Sequence, residues 1–198
     1  LPEEEQNDAA RKLFSESMVR NNAQVRSNFE IVLAQVINAI VPEIMDGNTQ
    51  IVVLGTGDAE YENSFRGYEN MYKGSFCANI MYDEGRAHKI YAGSDALLVP
   101  SLFEPCGLTQ LIAMRYGTLP IVHTTGGLAD TVVPYNAMEK SGRGITFQSF
   151  NAEDFSNALW RSIELFQEKE HFDAARKNAM NGDYSWAPSV VAYQKLYS

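Results

Sequence analysis

The segment Val99–Gln110 reads Val-Pro-Ser-Leu-Phe-Glu-Pro-Cys-Gly-Leu-Thr-Gln, and it gathers more groups capable of chemistry than any other stretch of the chain. An apolar run ends, an acid (Glu104) follows, and Gly107 then opens a helical pattern. The N–H groups of Gly107, Leu108 and Thr109 would be first-turn donors with no intrahelical acceptor, and the helix dipole adds partial positive charge beside them. That combination cradles a phosphate. A carboxylate so near a phosphate repels it, unless the acid faces a neutral polyol such as a sugar ring. The plainer reading makes Glu104 an acid that compensates the helix dipole. Spacing alone leaves both readings open.

Two other loops carry weaker signals. Leu54-Gly55-Thr56-Gly57-Asp58 begins like a dinucleotide fingerprint, but Glu60 stands where the third glycine belongs, so a tight turn explains the glycines equally well. His123-Thr124-Thr125-Gly126-Gly127-Leu128-Ala129-Asp130 holds a glycine pair that allows either close approach to a ligand or a sharp turn. His123 has no second His or Cys beside it to complete a triad or a metal site, so a local hydrogen bond is its simpler role.

The elements that must carry these loops alternate in type. Ile51-Val52-Val53-Leu54, short, branched and stopped by Gly55, reads as a strand buried on both faces. Further strands are predicted over 75–80, 96–99, 119–122 and 144–147, and helices over 29–45, 59–72, 85–92 and 107–116. Asn151 is placed to cap a helix with apolar positions 155, 158, 159, 163 and 166 on one face, and two more helices close the chain near 170–180 and 187–197. The alternation predicts an α/β fold, a doubly wound parallel sheet with helices on both faces. In such a sheet, ligands bind beyond the carboxyl ends of the strands. Residues 3–17 suggest a helix and 15–28 no regular element, so the chain divides into an irregular segment 1–28 and a domain 29–198.

Composition narrows the class. Among 198 residues there are 16 basic and 25 acidic ones, a net charge of −9, which argues against non-specific nucleic-acid binding. Apolar residues make up 45% and charged residues 21%, so the chain can build an ordinary core. No apolar run approaches the ~18 residues of a membrane span. Cys77 and Cys106 form neither a disulfide framework nor a metal-ligand spacing, which points to a reducing compartment. The opening at Leu1, with no signal-like start, is expected of a processed protein or an excised piece.

Phe103-Glu104-Pro105-Cys106-Gly107-Leu108-Thr109-Gln110, then Ala113-Met114-Arg115-Tyr116-Gly117-Thr118-Leu119-Pro120 and Thr125-Gly126-Gly127-Leu128-Ala129-Asp130-Thr131-Val132, closely resemble the starch synthase and bacterial glycogen synthase family. Tyr82-Asp83-Glu84, His88–Asp95 and the closing Ser185-Trp186 with Tyr193 and Tyr197 extend the likeness over roughly 29–198. The resemblance implies the Rossmann-like carboxy-terminal half of a two-domain GT-B glycosyltransferase, the half that binds ADP-glucose. Tyr82 would stack on adenine. Glu104 would accept hydrogen bonds from glucose hydroxyls as the catalytic-site acid. Cys106 and Gly107 would line the sugar pocket, and the N–H groups of Leu108 and Thr109 would hold the distal phosphate. The family passes glucose, with retention of anomeric configuration, to the 4-hydroxyl at the non-reducing end of an α-1,4-glucan. Neither a metal nor another cofactor is implied, and the working place would be a plastid stroma or a bacterial cytoplasm.

Two departures stand against the family pattern. The family carries an Arg and a Lys in a loop before the first helix, clamping the pyrophosphate. Aligned back from Phe29, those positions hold Asn22 and Ser27, with Arg20 and Arg26 displaced nearby. Each charge-assisted phosphate contact is worth about 1.5–3 kcal/mol, so losing two lowers donor affinity by two or more decades. The amino-terminal GT-B domain, with its acceptor cleft, is also not part of these 198 residues. The chain alone is therefore expected to bind ADP weakly and transfer nothing. A degenerate, non-catalytic module for glucan or partner binding is the alternative. A third possibility is that 15–28 joins segments not contiguous in the native protein.

Overall fold

The structure is a computed structural model that describes Val41, Met45 and residues 49–197. The segment 1–28 and most of the helix expected over 29–45 lie outside the described residues. Val41 and Met45 are helical and pack with Phe76, as two positions four apart on one helix face must.

From residue 51 onward, strands and helices alternate. The elements are β1 (Ile51–Leu54), α1 (Ala59–Met71), β2 (Phe76–Asn79), α2 (Glu84–Gly93), β3 (Ala96–Val99), α3 (Thr109–Tyr116), β4 (Leu119–His123), α4 (Gly126–Thr131), β5 (Ile145–Phe147), α5 (Ala152–Gln167), α6 (Lys169–Met180) and α7 (Trp186–Leu196). All strand pairs are parallel, β1 with β2 and, separately, β3 with β4 with β5. The described strands thus form one two-stranded and one three-stranded parallel sheet.

One expectation is corrected. β1 is not buried on both faces: Val52 is 46% exposed. The described helices that accompany it, α1 and α2, bury no residue fully. β4, flanked on both sides, buries all five of its residues. Pro120 is tolerated in it because β5 pairs only from Ile121 onward.

The main core lies around β3–β5. Met114 of α3, Ile121 and Val122 of β4, Phe147 of β5, Phe155 and Ala158 of α5 and Ala175 and Ala179 of α6 close it. Asn151 caps α5 by accepting from the Asp154 N–H at 2.8 Å. Phe155, Ala158 and Leu159 are buried as their spacing predicts, whereas Phe166 remains 51% exposed and rests its ring on Phe172. α3 is stapled to α6 by Arg176 Nε donating to Gly117 O at 3.0 Å and Arg115 Nη1 to Met180 O at 3.2 Å. On the other side of α3, Tyr116 Oη meets His88 Nδ1 of α2 at 2.9 Å, joining the two sheets through their helices.

Candidate functional site

The predicted loop lies at the carboxyl end of β3, where the fold rule places ligands. Its helix starts two residues later than expected. Gly107 holds a left-handed φ of +69°, Leu108 is the N-cap, and α3 begins at Thr109. A leucine cannot cap through its side chain, so the first-turn donors are left without a side-chain oxygen. The N–H groups of Gly107, Leu108 and Thr109 find no acceptor among the described residues. Leu108, Thr109 and Cys106 are exposed beside them.

Glu104 sits three residues before this turn, half-buried, with Ser101 Oγ 3.4 Å from its Oε2. Its backbone is held more firmly than its carboxylate: Glu104 O accepts from the Gly127 N–H at 2.9 Å. The glycine pair earns its place here. A Cβ on Gly126 would lie 2.2 Å from Glu104 O, and one on Gly127 2.2 Å from Cys106 O. The glycine pair thus lets two stretches of backbone approach closely. Gly126 also opens α4, a six-residue helix that the sequence pattern did not reveal.

Behind the loop, His123 satisfies two carbonyls, Nδ1 against Ser101 O at 2.9 Å and Nε2 against Gln148 O at 3.1 Å. The histidine braces the loop, as its simpler reading held, and it is 8% exposed. Asp154 continues the brace by accepting from the N–H groups of Ser149 at 2.7 Å and Gln148 at 2.9 Å. Those backbone hydrogen bonds, the one from Ser149 foremost, hold its carboxyl below the ordinary aspartate range.

Tyr82 lies apart, on the β2–α2 connection, 88% exposed. The structure thus groups Glu104, Cys106, Gly107, Leu108 and Thr109 on one loop and leaves Tyr82 on another. The glycine turn after β1 is no anion site: Gly57 N–H donates to Glu62 Oε1 at 3.1 Å, and Glu60 and Glu62 both crowd the first turn of α1. Asn22, Ser27, Arg20 and Arg26 fall outside the described residues. Among the described residues there is no cluster of His, Cys, Asp or Glu able to hold a metal, and no helix is long and apolar enough to cross a membrane.

Sequence reasoning missed Gln110, which is fully buried and turns its amide back onto the loop. The available signal was its spacing, since a side chain three or four residues into a turn can reach the preceding carbonyls.

Residues 29–180 match the family model of the glycosyl transferases group 1. The chain is 46% identical over 173 residues to the glycogen synthase of Streptococcus uberis, covering 87% of this chain and 35% of that protein. It is likewise 46% identical over 164 residues to the glycogen synthase of Clostridium novyi, covering 83% and 34%. The catalytic domain of starch synthase IV from Arabidopsis thaliana, solved bound to ADP and acarbose, is similar with a TM-score of 0.69 and 32% identity, over 86% of this chain and 35% of that one. The chain spans about a third of the length of the curated relatives it matches.

Proposed function

The chain belongs to the glycosyl transferases group 1, with glycogen and starch synthases as its relatives, and from that premise we propose that it is the carboxy-terminal, donor-binding domain of such a synthase. The observation that carries the reading is the run of N–H groups at 107–109 without an acceptor among the described residues, with Glu104 three residues before it. Peptide N–H groups without acceptors suit the distal phosphate of a nucleoside diphosphate, and an adjacent carboxylate suits the hydroxyls of the sugar that phosphate carries.

In this reading ADP-glucose is the donor. Leu108 and Thr109 hold the distal phosphate, Glu104 accepts from the glucose hydroxyls, and Cys106 and Gly107 line the sugar pocket. Tyr82 offers its exposed ring to adenine. Outward donors at 107–109 also stabilise the charge that grows on the leaving phosphate, which is how they accelerate transfer as well as bind. Glucose passes with retention to the non-reducing end of an α-1,4-glucan, and no cofactor takes part. An amino-terminal GT-B domain supplies the acceptor cleft and the dry, closed site, so the 198 residues alone bind ADP and transfer nothing. The likeness to bacterial glycogen synthases and a plant starch synthase suits a bacterial cytoplasm or a plastid stroma.

The test has two arms. ADP-glucose titrated into the chain should bind. Glucose incorporation into glycogen should be absent for the chain alone and appear when an amino-terminal synthase half precedes it. Elongation by the chain alone would overturn the incomplete-site reading. No ADP-glucose binding would favour the second reading, a degenerate module, for which Asn22 and Ser27 in place of the family's two cations are the favouring observation.

A further inference from the structure

Gln110 is 0% exposed, in the first turn of α3, and its amide is oddly used. Nε2 lies within hydrogen-bond distance of three acceptors: Gly107 O at 3.0 Å, Cys106 O at 3.2 Å and Thr131 Oγ1 at 3.2 Å. An amide nitrogen has two hydrogens, so three acceptors share two donors. Oε1, by contrast, is buried and has no partner at all. A buried acceptor left unpaired calls for an explanation. Turning the amide over would set Oε1 against two carbonyl oxygens, at Cys106 and Gly107, and leave both without a donor. The neighbours fix the orientation, and the orphan oxygen is its consequence.

The consequence for the loop follows from peptide geometry. In a trans peptide the C=O of one residue and the N–H of the next point in opposite directions. Gln110 draws Cys106 O inward, so the Gly107 N–H faces out. It draws Gly107 O inward, so the Leu108 N–H faces out. Both N–H groups are among those that find no acceptor. The amide also fills the space above Gly107, where a Cβ would lie 2.5 Å from Oε1 and 2.8 Å from Nε2. Thr131 completes the arrangement: its hydroxyl donates to Gly127 O at 2.6 Å, anchoring the clamp to the same α4 start that holds Glu104 O.

We propose that Gln110 is the positioning residue of the phosphate cradle, its buried amide pulling two carbonyls inward so that the N–H groups of Gly107 and Leu108 are aimed at the distal phosphate of the donor before it arrives. The proposal rests on the nucleotide-binding reading above. It requires that Gln110 matter for a second phosphate and not for the first, because the base and proximal phosphate do not depend on these two N–H groups.

The test compares ADP with AMP on the full 198-residue chain by calorimetric titration, for the unsubstituted protein, Gln110→Met, Gln110→Glu at pH 8, and Thr131→Val. Met keeps the length without the donors, and Glu presents acceptors where donors are needed. Both variants should lose about tenfold or more in ADP affinity while AMP affinity stays within about twofold, and Thr131→Val should lose about threefold for ADP alone. Thermal unfolding checks that each variant is folded, and if the Gln110 variants are not, Thr131→Val still reads the clamp. Equal losses for ADP and AMP, or ADP affinity unchanged in Thr131→Val, would overturn the proposal while leaving nucleotide binding intact. An unsubstituted chain that binds neither nucleotide overturns the donor-domain reading and this proposal with it.

Discussion

β4 and β1 are both short parallel strands of branched residues, yet β4 buries every residue and β1 buries none fully. The same contrast divides the helices. α3, α5 and α6 each bury residues against the β3–β5 sheet, whereas α1 and α2 bury none. Among the described residues, β4 pairs on both sides, with β3 and β5, and β1 pairs with β2. The proposed ligand groups divide along the same line. The proposed phosphate and sugar groups, 104–109, stand on the more deeply buried β3–β5 part, and Tyr82, proposed to meet the base, stands on the β2–α2 connection of the more exposed part. Donor binding should therefore draw its rigidity from the β3–β5 side and be tolerant of changes around β1 and β2.

Core truncation gives the widest separation. Phe147→Ala, at a residue 2% exposed and packed on His123 and Phe155, should cost about 3–5 kcal/mol. Val52→Ala should cost about 0.5 kcal/mol or less, since that side chain is nearly half exposed. Urea unfolding of the two variants measures both. Comparable losses would mean that the two parts are equally well buried.

Glu104→Gln probes function without touching packing, because the carboxylate has a single contact at 3.4 Å. Affinity for ADP-glucose should fall by about 1.5–3 kcal/mol, the worth of hydrogen bonds to a charged group, while ADP affinity is unchanged. A parallel loss for both ligands would remove the sugar from the role assigned to this acid.

Two glycines sharpen the contrast at smaller amplitude. Gly127→Ala places a Cβ 2.2 Å from Cys106 O and should destabilise by about 1–3 kcal/mol. Gly67→Ala, inside α1 with nothing within 4 Å of the new Cβ, should stabilise by about 0.5–1 kcal/mol. Opposite signs in paired thermal melts are the expected result.

The smallest effect is in acid. Asp154 has a folded-state pKa below its ordinary value because backbone N–H groups, that of Ser149 first, bind its ionised form, with Arg161 and His123 adding to the pull. A depressed carboxyl contributes stability above its unfolded pKa of about 3.9, and that stability drains away as pH falls through the folded value. Asp154→Asn should therefore be less stable than the parent at pH 7, with the gap closing below about pH 4. Denaturant midpoints at the two pH values read it directly.

Much of this arrangement is legible in the chain, and the gaps have causes. Ile51–Leu54 and Ala96–Val99 announce strands through unbroken apolar runs, and residues 155, 158 and 159 announce a helix face through their period. Their burial is a different matter: Val52 is 46% exposed within a wholly apolar run, because burial depends on what packs against a strand and not on its own residues. The helix Gly126–Thr131 is too short to display a 3.6-residue period. Leu108 is apolar like the helix that follows, so only the backbone shows it to be the cap. The glycine pair offered a ligand or a turn, and the close approach seen there, two loops stacked backbone on backbone, needs both loops in view. Gln110 was read within a motif, but the fact that its amide aims two peptide groups is a property of three dimensions alone.

The central claim is that the 107–109 turn, with Tyr82, receives an adenine nucleoside diphosphate. Thermal unfolding of the chain with millimolar ADP, with UDP as the control, tests it most directly. At 100 times its dissociation constant ADP should add about 2.7 kcal/mol, raising the midpoint by about 5–11 °C, while UDP has little effect. A midpoint unmoved by ADP, or moved equally by UDP, contradicts it.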